Sequence, residues 1–165
     1  MKFRSALICA LPLALMACAQ QGTANEPAPS ASQQAQDEVH PISGLKIIPV
    51  TVTKGKVKHV FRAELADSRE AQGKGLMFRT ELPDDAAMIF PSVPQTARSF
   101  WMKNTPLPLD IIFIGTDGRI LNIAAMTEPY SLESVYSDGL TSGVLEIRGG
   151  LAAELGIGPG DLVEW

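Results

Sequence analysis

A strict two-residue alternation constrains this chain most: Val57, His59, Phe61, Ala63 and Leu65 fall on one side of an extended segment, Lys56, Lys58, Arg62 and Glu64 on the other. Side chains alternate between faces with period two only in a β-strand, so the segment demands a sheet with one face on a core. Leu45–Thr53 is a second β-rich run, and Lys54-Gly55 supplies a hairpin turn between the two. Asp110 to Ile114 (DIIFI) is apolar on both faces, as a central strand requires, and Asp117-Gly118 turns the chain into a run over Ile120–Ala125. Gly143–Arg148 and Asp161–Trp165 complete the strands. Two short helices are expected. One opens at the capping box Asp67-Ser68-Arg69-Glu70 and runs toward Leu76, and the other covers Gly150–Leu155 and stops at Gly156. The fold class is therefore mainly β, a β-sandwich or small barrel-like sheet with two short helices.

This β domain occupies residues 42–165, a common size for a single core. Residues 19–41, rich in Gln, Ala, Pro and Ser, lack hydrophobic periodicity and read as a disordered tether with a span of roughly 25–30 Å. Residues 1–18 have the form of a lipoprotein signal peptide. Lys2 and Arg4 supply positive charge, Ala6–Leu15 is apolar but too short to cross a bilayer, and Leu15-Met16-Ala17-Cys18 is a lipobox that ends at the lipid-accepting cysteine. Several acyl chains on Cys18 would make the anchor durable. The expected location is the cell envelope, facing the periplasm or exterior. Ala19 stands where an aspartate would favour inner-membrane retention, so the outer membrane is favoured where there are two.

With Cys9 removed and Cys18 acylated, no thiol is left for a disulfide, a nucleophile or a metal site. Loss of Lys2 and Arg4 leaves 12 of the 14 basic residues against 18 acidic ones, which argues against nucleic acid as a partner. The expected partners are the membrane, through Cys18, and an envelope polysaccharide or protein. Lys46, Lys54, Lys56, Lys58 and Arg62 form a basic cluster that reads first as a solvated strand face resisting edge-to-edge pairing, and second as a contact for an anionic envelope polymer or lipid headgroup.

Several motifs occur in one order: Gly75-Leu-Met-Phe-Arg79, Met88-Ile-Phe90, Phe100-Trp-Met-Lys-Asn-Thr105, Pro108-Leu-Asp110, Phe113, Gly118-Arg-Ile120, Val144-Leu-Glu146, Gly156-Ile157, Gly160-Asp161 and Val163. From about Lys46 to Trp165 the chain resembles the DUF192 family of uncharacterised bacterial and archaeal proteins. That resemblance implies a mainly-β, sandwich-like fold and no reaction.

The residues themselves limit the chemistry. His40 and His59 are the only histidines, and there is no Gly-x-Ser-x-Gly elbow, phosphate loop or dinucleotide fingerprint, so no metal, no cofactor and no Ser–His–Asp hydrolysis is expected. The densest segment is Phe100–Asp110. Arg79, Trp101, Lys103, Asn104 and Asp110 are the candidate ligand-binding residues, with Glu146 adjoining, although Asn104, Thr105 and Asp110 would equally serve to fasten a loop. Asp110 and Glu146 are weak candidates for the paired carboxylates of an envelope hydrolase or transferase. A minor alternative is a Cu(I) module built from Trp101, Met77, Met88, Met102 and Met126. The leading expectation is a non-enzymatic binding module.

Overall fold

A computed structural model describes residues 38–165; the expected signal peptide, Cys18 and the tether up to residue 37 lie outside the described residues. The chain runs β1 (Ile47–Lys54), β2 (Val57–Leu65), α1 (Arg69–Lys74), β3 (Ala86–Thr96), β4 (Ser99–Phe100), β5 (Leu109–Gly115), β6 (Ile120–Ala124), β7 (Val135–Tyr136), β8 (Thr141–Arg148), α2 (Leu151–Leu155) and β9 (Leu162–Glu164). Seven strands form one mixed sheet in the order β6-β5-β8-β3-β2-β1-β9, and β4 with β7 makes a separate ribbon. The pair β2–β3 is parallel, with α1 in the connection between them, and the other pairings are antiparallel.

The sheet curls because its two edges contribute to one core. Ile120 on β6 and Val163 on β9 belong to the same buried cluster as Val50, Phe61, Ile89, Ile112, Leu145 and Ile147. Burying each such side chain contributes about 1.5–3 kcal/mol, which favours bringing the edges together. They meet only where Arg119 bridges Leu162, so the result is barrel-like but not a closed barrel. The outer face carries a second cluster, which includes Leu76, Met88, Phe90, Met102, Ile111, Phe113 and Val144 and is covered by α1 and the segments around it.

The mainly-β expectation with two short helices holds. The strand β3 was not legible, because Pro91 and Pro94 interrupt it. Their missing N–H groups cost no ladder bond: β2 pairs with β3 only over Ala86–Ile89, and the Pro91 carbonyl points away from β8 to accept from Gln72 and Arg98. Helix α1 is capped by Ser68, whose hydroxyl accepts the Ala71 N–H at 3.1 Å, one residue later than the box centred on Asp67 suggested. It ends before Gly75, which adopts φ +50°. Glu38–Pro41, expected in the tether, fold onto the domain: Val39 bridges Lys46, and the Ile47 N–H donates to the Glu38 carbonyl.

Candidate functional site

The register of β5 and β8 separates the two carboxylates proposed as a pair. Asp110 lies beside Ile147, and Glu146 lies beside Ile111 on β5 and Met88 on β3. Cross-strand partners share a face and successive residues alternate, so Asp110 enters the inner core while Glu146 projects from the outer face. A sheet stands between them, and a two-carboxylate glycosidase site is excluded as a correction to that expectation. Asp110 is fully buried. Its Oδ1 accepts from the N–H groups of Met126 (2.8 Å) and Gly150 (2.9 Å), and Oδ2 accepts from Ala152 (2.8 Å). These contacts explain how α2 can begin at Gly150, a residue with no side chain to cap it. The carboxylate supplied by β5 satisfies the orphan amides.

Arg79 is likewise engaged in the structure. Its Nη2 lies 2.7 Å from Glu64 Oε2, both side chains are buried, and the two ring nitrogens of His40 lie 3.3–3.4 Å from the guanidinium nitrogens. Ser43 donates its hydroxyl to the same Glu64 oxygen. Glu64, assigned by alternation to the solvated face of β2, is only 3 % exposed because the 38–45 segment covers that end of the strand. Asn104 takes φ +56°, its carbonyl accepts the Phe78 N–H, and its amide reaches the Met77 sulfur at 3.8 Å. It pins a turn. Within the basic cluster, Arg62 pairs with Glu38, and Lys54 donates to the Gly156 carbonyl.

Glu146, Trp101 and Lys103 do converge, on a cavity of about 200 Å³ between α1 and the segment 98–105, which Lys74, Arg98 and Thr105 also line. At about 30 Å³ per water, that is room for roughly six or seven waters, or one ring-sized chemical unit. The wall is rigid, since Phe100 packs edge-on against Phe90 (5.0 Å between centroids) and Phe113 (6.1 Å). Arg98 lies over Phe100 at 5.3 Å and is steadied by Gln72 and Ser92. Lys103 sits 5.2 Å from the ring of Trp101, which is half exposed. Lys74 and Arg98 were not singled out in the sequence, where neither belongs to a motif that marks a site.

Glu146 forms the floor. It is 5 % exposed, accepts no hydrogen bond among the described residues, and burial alone pushes its carboxyl up to about 8. At neutral pH it is mostly the neutral acid, a donor as well as an acceptor. Burial also lowers the Arg98 guanidinium from its ordinary value. The shift of Glu146 has a defined sign in stability. The folded state holds a proton that the unfolded chain releases near the ordinary carboxyl value of 4.5, so stability contributed by the neutral acid is present at low pH and declines as pH rises toward 8. Urea denaturation of the protein should show a loss of a few kcal/mol, as an order of magnitude, between pH 5 and pH 8.5. Glu146→Gln should flatten that slope, and an unchanged slope would refute the assignment.

The methionines do not gather. Met88 and Met102 belong to the outer core, the Met102 sulfur accepts the Thr127 hydroxyl, Met126 is exposed beside Gly150, and only Met77 lines the cavity with Trp101. Among the described residues no group of three or more His, Cys, Asp or Glu side chains is placed to hold a metal ion.

The DUF192 family model, described as "Uncharacterized ACR", matches residues 50–165. The chain belongs to the DUF192 family. A crystal structure of a protein of unknown function from Novosphingobium aromaticivorans is similar at a TM-score of 0.76 and 56 % identity, covering 79 % of this chain and 96 % of that one. A second crystal structure, of a protein from Sinorhizobium meliloti described as a candidate transcription regulator, has a TM-score of 0.68 and 34 % identity, covering 70 % of this chain and 91 % of that one. No curated protein matches the sequence.

Proposed function

We propose that this DUF192 protein is a lipid-anchored component of the cell envelope whose Glu146 cavity binds one small polar unit of an envelope polymer without turning it over. The observation that supports this reading is a nearly fully buried, unpaired carboxyl facing a cavity whose rim carries the half-exposed Trp101. An aromatic face for a ring, beside a few convergent polar groups, is the usual composition of a site for a polar ligand. The anchor rests on the lipobox ending at Cys18. No helix among the described residues is long and apolar enough to cross a membrane, so in this reading acylation provides the attachment.

A hydrolase or transferase would have to use Glu146 as a lone general acid, because Asp110 lies across the sheet. The description of the Sinorhizobium protein is not carried over, since an acidic, exported chain is poorly suited to nucleic acid.

Two measurements test the proposal. Radiolabelled fatty acid should be incorporated into the protein and lost in Cys18→Ser. The purified protein should co-sediment with cell-wall sacculi, and Trp101→Ala should weaken this about tenfold, in line with loss of one aromatic contact of roughly 1–1.5 kcal/mol. Equal binding by Trp101→Ala would move the site elsewhere, and release of soluble fragments by the wild type but not Glu146→Gln would replace binding by catalysis.

A further inference from the structure

The charges around the cavity are unbalanced. Lys74 at the end of α1, Arg98 before β4 and Lys103 after it all line the space, and none forms an ion pair among the described residues. Arg98 is held in place by neutral acceptors only: the Pro91 carbonyl, the Ser92 hydroxyl and the Gln72 amide. Glu146 is the one acidic side chain in the lining. The neighbours that share its face on β3 and β5, Met88 and Ile111, are apolar. Arg148, next along its own row of β8, is engaged by Asp84 and Glu154. Three cations without counter-ions thus face a single buried acid, in a molecule with an overall acidic surplus. The cavity lining therefore carries an excess of positive charge, which an incoming oxyanion would offset.

We infer that the cavity selects an anionic sugar unit, its carboxylate or phosphate held among Lys74, Arg98 and Lys103 with the Glu146 carboxyl donating a hydrogen bond to it. This rests on the reading of the cavity as the ligand site and adds the charge of the ligand. A carboxylic acid in its neutral form can donate to an oxyanion, whereas its ionised form can only accept and adds a negative charge beside the bound one. Because burial raises the Glu146 carboxyl to about 8, occupancy becomes pH-dependent in the range where envelope proteins work. An anionic ligand would favour the neutral acid still further, and the cations would favour the ligand in either state.

The probes are N-acetylglucosamine, N-acetylmuramic acid and N-acetylglucosamine 1-phosphate, which share a ring and differ in the absence of an anion, a carboxylate or a phosphate. Titration calorimetry of the full chain in detergent at pH 6.5 should give at least tenfold tighter binding for one or both anionic sugars than for the neutral one. The tighter of the two identifies the source of the oxyanion. At pH 9 the wild type should lose at least tenfold of that affinity. Glu146→Gln, which keeps an N–H donor, should retain it at both pH values, so that the change is traced to Glu146 and not to another titrating group. Lys103→Ala, at an exposed position, should weaken the anionic sugars several-fold more than the neutral one. If the neutral sugar binds as tightly as the anionic ones, or if Glu146→Gln shows the same pH dependence as the wild type, the inference is overturned while the cavity reading stands. If none of the three binds, the cavity reading fails with it.

Discussion

Replacing Asp110 by alanine should destabilise the domain by about 3–5 kcal/mol and lower its melting temperature by roughly 10–20 °C. The carboxylate accepts three backbone N–H groups at 2.8–2.9 Å in a fully buried position. Hydrogen bonds to a charged acceptor contribute about 1.5–3 kcal/mol each, with less than full additivity because the three share one acceptor. Alanine would leave the amides of Met126, Gly150 and Ala152 unpaired, and α2 would lose the group that stands in for its missing side-chain cap. Asp110→Asn keeps one carbonyl oxygen but turns an N–H toward a donor, so it should fall between the wild type and alanine. Urea denaturation monitored by far-UV circular dichroism measures all three proteins. A loss below about 1 kcal/mol for Asp110→Ala, accompanied by loss of ligand binding, would show that Asp110 serves a ligand and not the fold.

Arg79→Met should cost a similar amount, about 3–5 kcal/mol, because removing one partner of a buried ion pair leaves the other charge uncompensated. Glu64 is 3 % exposed and would keep only the Ser43 hydroxyl and the His40 ring. The double replacement Arg79→Met with Glu64→Leu should recover most of the loss, since a buried pair and a well-packed apolar pair of similar volume are often close in stability. Chemical denaturation of the two single variants and the double variant closes the cycle. A double variant no more stable than Arg79→Met would mean that the arginine acts through its contacts with His40 and not through its pairing with Glu64.

Both residues were visible in the sequence as candidates for a ligand pocket. The sequence could not assign their partners. Asp110 precedes an apolar run, and an ionisable side chain entering a core must find donors. Those donors come from residues 16, 40 and 42 positions away, on a loop and at the start of α2. Glu64 followed the alternation that placed Lys58 and Arg62 in solvent, until a segment assigned to the tether covered it. Trp101, Lys103 and Glu146 were legible as candidates, and they meet at the cavity, but Lys74 and Arg98 carried no motif and acquire their role from position alone.

By itself the sequence determined the β character of the domain, its two short helices, and membership of the DUF192 family. Each of these depends on the period of apolar residues, on turn and cap residues, or on motifs spaced along one stretch of chain, all local properties. The tertiary structure alone decided which face each carboxyl occupies. A shift of one residue in the pairing of β5 with β8 would put Asp110 and Glu146 on the same face, and register is settled by the burial of both sheet faces together. Glu146 therefore became an unpaired acid at the floor of a cavity, and Asp110 the cap of a helix. The physical reason is that sequence spacing defines alternation within a strand, whereas the neighbours that pair, neutralise or desolvate a charge are brought there by the fold.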